Sequence, residues 1–180
     1  MSLKNSKMYE IRIPKSRIAV LIGEKGATKM FIEKNTDTKL KIDSEDGDVI
    51  ISSEDNLKAF NAQDVVKAIG RGFNPEIALK LTKEGNVLEI VDMDDFAKTK
   101  NHLLRVKARV IGKEGKSRKF IESTTNTHIC VYGKTVSIIG KVEDVTIARK
   151  AIEKLLSGAP HGHAFNFIEK SIKELKTDLE

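Results

Sequence analysis

An apolar run that stops at a glycine, followed by two polar residues and a second glycine, occurs twice in this chain. The first copy is Val20-Leu21-Ile22-Gly23-Glu24-Lys25-Gly26, and the second is Ala108-Arg109-Val110-Ile111-Gly112-Lys113-Glu114-Gly115. Gly112 stands 89 positions after Gly23. At that fixed offset Phe31-Ile32-Glu33 falls on Phe120-Ile121-Glu122, Thr36 on Thr125 and Thr38 on Thr127. From Ile22 to Ile42, 8 of 21 aligned positions are identical. A period this long, with both glycines intact in each copy, makes the chain a tandem of two like domains.

The local pattern repeats around each glycine pair. In the first half, residues 8–13 alternate as a half-buried strand that Pro14 ends. Ser16 is a candidate cap for a short helix carrying Ile18, Val20, Leu21 and Ile22, and Gly23 terminates it. Gly26 and Thr28 open a second helix with Met30, Phe31 and Ile32 facing inward. Residues 38–42 and 49–52 read as strands flanking an acidic loop. Asp55-Asn56 caps a longer helix with Leu57, Phe60, Val65, Val66 and Ile69 on its apolar side, and a short helix follows, opened by Pro75. In the second half the strands fall at residues 87–91, 127–131 and 135–139. The helices fall at 102–111, 115–125 and 142–156, with residues 94–101 a polar helix or turn. The fold class is therefore α+β: in each domain a three-stranded sheet with helices stacked on one face. The boundary is placed at residues 1–81 and 82–180. A last amphipathic helix at 165–179 carries Phe165, Ile168, Ile172, Leu175 and Leu179 on one face. Neither repeat offers it a partner, so it is expected to pack across domains or onto another molecule.

Charge singles out the glycine pairs. The net charge is +6 and the pI about 9.3, a mild preference for a polyanion. From residue 105 to 119 there are seven basic residues (Arg105, Lys107, Arg109, Lys113, Lys116, Arg118, Lys119) against Glu114 alone. From residue 12 to 29 there are five (Arg12, Lys15, Arg17, Lys25, Lys29) against Glu24. Between two helices a Gly-x-x-Gly turn lets the backbone approach another chain closely. The amides opening the next helix favour phosphate oxygens. These properties, in this order of elements, resemble the KH family in its eukaryotic-type (type I) arrangement, which clamps about four nucleotides of single strand.

The resemblance is narrower than the general KH pattern. Both copies carry Gly-x-x-Gly-x-[Ser/Thr]-[Lys/Arg]-x-Phe-Ile-Glu, whereas a general KH domain has an apolar residue where Lys29 and Arg118 stand. With Arg71-Gly72-Phe73-Asn74-Pro75-Glu76 after the first unit and Gly158-Ala159-Pro160-His161-Gly162 after the second, nearly the whole chain is similar to the archaeal two-KH proteins of small-subunit rRNA processing. These are relatives of the eukaryotic partner of the nuclease that matures the rRNA 3′ end. The resemblance implies binding of single-stranded small-subunit rRNA near that end during ribosome assembly. It further implies contact with the nuclease and with the α subunit of initiation factor two. In the eukaryotic relatives the first loop is degenerate; here it is intact.

The expected RNA-binding residues are Arg109, Ile111, Gly112, Lys113, Glu114, Gly115, Lys116, Arg118 and Lys119 in the dominant second unit, with Gly23, Glu24, Lys25, Gly26 and Lys29 in the first. Ile22, Ile32 and Leu40, and Ile111, Ile121 and Ile129, are the expected groove walls. Phe31 and Phe120 read as core residues rather than base stackers. The two glutamates inside the loops oppose tight anion binding, which keeps open a protein scaffold in which one unit or neither binds RNA. An enzyme is the third reading, and no carboxylate cluster, Cys/His set or phosphate-cradling Gly-Lys-Ser/Thr supports it. No cofactor or metal is expected: Cys130 is a lone thiol and His161 and His163 read as loop residues. The absence of a membrane-length apolar run and of an N-terminal leader points to the cytosol.

Overall fold

The structure is a computed structural model and describes residues 7–177. The chain divides between Glu84 and Gly85 into two units.

Unit one runs β1 (Lys7–Arg12), α1 (Lys15–Ile22), α2 (Ala27–Thr36), β2 (Lys39–Ile42), β3 (Asp48–Ser53), α3 (Asn56–Gly70) and α4 (Pro75–Ala78). Its antiparallel sheet has the order β1-β3-β2, with Leu40 opposite Ile51 and Tyr9 opposite Ile51 on the other side. The core is Leu21, Ile32, Leu40, Val49, Ile51, Val65, Val66 and Ile69, all buried. Asp55 caps α3 by accepting the amides of Leu57 and Lys58. Asn74 caps α4, with Pro75 at the first helical position.

Unit two repeats the plan with β4 (Asn86–Asp92), α5 (Lys100–Ile111), α6 (Lys116–Thr125), β5 (His128–Tyr132), β6 (Thr135–Lys141) and α7 (Val142–Leu156), then adds α8 (His161–Thr177). The sheet order is β4-β6-β5, again antiparallel. In both sheets the last strand takes the centre, so the strand that follows the glycine loop lies at the edge.

Four expectations change. Met30, Phe31, Leu57 and Phe60 are exposed. The contact stripe of α3 is instead Ala59, Ala62, Val65, Val66 and Ile69, whose alanines let it sit close to its neighbours. The larger Leu57 and Phe60 point away. Ser16 lies inside α1, whose cap position is held by Pro14. The C-terminal helix begins at His161 rather than Phe165 and packs within its own unit, on α6 and α7. Ala164 and Ile168 join the core, with Phe165, Ile172 and Leu175 against it; Leu179 lies outside the described residues. Unit one has only the four-residue α4, with the turn after it, in the corresponding place, too short to reveal that seat. Among the described residues no helix is long and apolar enough to cross a membrane.

Candidate nucleic-acid interface

The two glycine loops have nearly the same backbone. Gly23 sits at φ 73° and ψ 178°, Lys25 at φ 50° and ψ 28°, and Gly26 at φ 83° and ψ 9°. Gly112 sits at φ 74° and ψ 171°, Glu114 at φ 54° and ψ 26°, and Gly115 at φ 74° and ψ 11°. In each loop the first glycine ends a helix by donating to the carbonyl four residues back: Gly23 N–H to Ala19 O at 2.9 Å, and Gly112 N–H to Ala108 O at 2.8 Å.

The two glycines of a loop do different work. A Cβ on Gly112 would stand 2.6 Å from Ser117 Cβ, and one on Gly23 would stand 2.2 Å from Thr28 Oγ1. The first glycine is thus demanded by the protein's own packing. The second is not. A Cβ on Gly26 would meet nothing within 4 Å, and one on Gly115 only Lys119 Cε at 3.8 Å. Each second glycine keeps a positive φ that L side chains rarely adopt, yet the fold leaves the space beside it open. The open side of Gly26 and Gly115 therefore faces space in which a second backbone can come close.

Both second glycines are also helix caps without a side chain, so no side-chain acceptor covers the first amides of α2 or α6. Those amides and the positive helix end make an anion-seeking surface. Lys113, Glu114 and Lys116 are exposed at its rim, with Lys116 Nζ 3.7 Å from Glu114 Oε2. Glu24 and Lys25 are likewise exposed.

Counting basic residues along the sequence overstates the charge available to a ligand. Arg12 makes two bonds to Asp48, at 2.6 and 2.8 Å, across β1 and β3. Arg17 donates to Ile69 O and Phe73 O, both at 2.8 Å. Arg109, assigned above to RNA, donates from Nε to Leu155 O at 3.1 Å and from Nη2 to Ala159 O. It is turned into the fold, where carbonyls at the end of α7 and in the link after it attract a cation. Lys29 lies 4.0 Å from Glu33, and Arg118 3.6 Å from Glu122. Among the described residues no ion pair or hydrogen bond engages the side chains of Lys15 or Lys25 in unit one, or of Arg105, Lys107, Lys113 and Lys119 in unit two. The bias towards unit two survives: four such cations against two.

The groove walls also change. Ile32, Leu40, Ile121 and Ile129 are buried in the cores, and only Ile22 and Ile111, half-buried before the loops, remain at the surface. Phe120 is half-buried and stacks on Phe165 at 4.2 Å between centroids, whereas Phe31 is 50% exposed. His161, read as a loop residue, opens α8, and its Nε2 meets Arg109 O at 2.9 Å. Pro160 immediately before it was the available signal, since proline favours helix starts; Gly162 obscured it. Among the described residues no group of His, Cys, Asp or Glu is placed to hold a metal ion.

Fold and loops together define a tandem type I KH protein. Residues 8–71 match the KH domain, and residues 87–173 match a eukaryotic-type KH domain (KH-domain type I). A KH domain-containing protein of Methanocaldococcus jannaschii is 50% identical over 180 residues, covering 97% of this chain and 79% of its own. Dim2p of Pyrococcus horikoshii is 48% identical with a TM-score of 0.86, covering 91% of this chain and 99% of its own. The same organism's aDim2p, in a complex with a/eIF2alpha and rRNA, has a TM-score of 0.90 at 47% identity, covering 94% of this chain and 96% of its own. The pre-rRNA-processing protein pno1 of Aspergillus fumigatus is 31% identical over 117 residues, 63% of this chain but only 46% of that longer protein. The chain belongs to the archaeal two-KH family of small-subunit rRNA processing and ribosome assembly proteins, whose eukaryotic relatives are the pno1 proteins.

Proposed function

We propose that this protein is a ribosome assembly factor that holds single-stranded small-subunit rRNA near its 3′ end, chiefly through the loop Gly112–Gly115. The observation that carries the reading is the open side of Gly115 beside the uncapped amides of α6. A ribose-phosphate strand laid there accepts hydrogen bonds from those amides. Lys113 and Lys119 screen its charge, and Ile111 offers an apolar edge to a base. Polar and backbone groups of the edge strand β5 read the bases. The equivalent loop Gly23–Gly26, with Lys25 and Lys29 beside it, is a second and weaker contact.

The complex of the Pyrococcus relative with a/eIF2alpha and rRNA supports both the RNA and the initiation-factor α subunit as partners. The nuclease that matures the 3′ end is the further partner this reading assigns. The role is binding rather than catalysis.

The test is binding of a single-stranded RNA matching the small-subunit 3′ end by the intact chain and by Gly115→Asp. Gly115 is the better site because a side chain at Gly112 would collide with Ser117. The variant is expected to lose binding while keeping its circular dichroism. Undiminished affinity would favour the protein-scaffold reading. Incubation of pure protein with RNA and Mg²⁺ is expected to yield no cleavage.

A further inference from the structure

We infer that the first turn of α8 is a buttress that sets the geometry of the second glycine loop, so that RNA affinity in unit two depends on His161 and Phe165. This rests on the reading of that loop as the RNA contact.

The loop lies between α5 and α6, and the start of α8 holds both. On the α5 side, the Arg109 guanidinium is bonded to Leu155 O and Ala159 O, at the end of α7 and in the link to α8. The backbone carbonyl of Arg109, three residues before Gly112, is met by His161 Nε2 at 2.9 Å. A carbonyl only accepts, so Nε2 carries the proton and donates. This occupies one of the carbonyls a helix leaves over at its end. On the α6 side, Phe120 lies against Phe165, with centroids 4.2 Å apart. Phe165 in turn meets His161 edge-on at 5.8 Å. Contacts therefore run unbroken from the last turn of α5, across one turn of α8, to the middle of α6. The angle between α5 and α6 decides where the amides after Gly115 point.

Unit one has half of this arrangement. Arg17 reaches Ile69 O and Phe73 O, which stand 86 positions before Leu155 and Ala159. The position 86 before His161 is Pro75, which has no side-chain donor. Phe31, the counterpart of Phe120, is half exposed. The two loops share a backbone, but only the second is tied on both flanks by these side chains. A loop already held in its binding geometry loses less entropy on binding. The buttress therefore favours unit two independently of charge.

The experiment compares wild type, His161→Ala, His161→Gln, Phe165→Leu and Gly115→Asp for binding of single-stranded RNA matching the small-subunit 3′ end. Each is measured across a salt series, with circular dichroism as the check on folding. His161→Ala is expected to weaken binding about three- to tenfold, the order expected from loss of one hydrogen bond, with the salt slope unchanged. His161→Gln, whose amide can donate to the same carbonyl, restores most of the affinity. Phe165→Leu, which keeps an apolar side chain but loses the ring contacts, weakens binding in the same direction. Wild-type affinity in His161→Ala would overturn the buttress. So would a loss in which the slope falls by about 0.7, the mark of a phosphate contact removed. Gly115→Asp separates the two ideas. If it abolishes binding while His161→Ala keeps wild-type affinity, the buttress fails and the loop assignment stands; if it binds normally, the loop assignment itself fails.

Discussion

The carboxylate of Glu122 accepts the backbone N–H of Ile129 at 2.7 Å, and Glu33 takes Leu40 N–H in the same way at 2.8 Å. Each glutamate ties the helix after its glycine loop to the edge strand. The Thr36–Thr38 and Thr125–Thr127 hydroxyl pairs, both at 2.8 Å, close the same corner. Glu122→Ala leaves the Ile129 amide without its acceptor and is expected to cost about 1–3 kcal/mol. Glu122→Gln keeps an acceptor and costs less. Urea unfolding of the full chain distinguishes the two.

Phe31 and Phe120 occupy equivalent places and are expected to respond differently to truncation. Phe31 is 50% exposed, so Phe31→Ser costs about 1 kcal/mol. Phe120→Ala removes a ring stacked on Phe165 and costs about 2–4 kcal/mol. Thermal melts of the two variants report the contrast. Equal losses would mean that Phe31 is covered.

The Arg12 guanidinium donates to Asp48 and holds its carboxyl below the usual carboxylate range, while Asp48 raises Arg12 in return. A carboxyl depressed on folding contributes stability above its unfolded value of about 3.9 and loses that contribution as pH falls through the folded value. Asp48→Asn is therefore expected to lower the Tm at neutral pH. The difference from wild type narrows as the pH falls below about 3.9 and through the folded value. A difference that does not narrow with falling pH would point to packing instead.

The salt dependence of RNA binding separates cations that face the ligand from those that face the fold. Lys113→Ala is expected to reduce the slope by about 0.7, one phosphate contact on a single strand. Arg109→Lys weakens binding by loosening the end of α5 and leaves the slope unchanged.

Much of this is legible in the sequence. Gly23, Gly26, Gly112 and Gly115 marked the helix ends, because few other residues accept a left-handed turn there. The repeat located the strands, although Leu40 and Ile129, read as groove walls, lie in the cores. What misled was local. Arg17 and Arg109 sit three positions apart in the aligned repeats yet reach equivalent carbonyls, and no window along the chain reveals a bond to a residue about fifty positions away. The apolar stripe of α3 was displaced because Leu57 and Phe60 are more hydrophobic than the alanines that touch the core. The seat of α8 was hidden because its counterpart in the first repeat, α4, is only four residues long.

The second glycine loop as the place where RNA lies can be measured directly by following backbone amide resonances of the intact chain during titration with the single-stranded 3′-end RNA. The largest shifts are expected at residues 112–117, where amides meet phosphate, with smaller ones at residues 23–28. Shifts confined to other surfaces, with Gly115 and Lys116 unmoved at saturation, would contradict it.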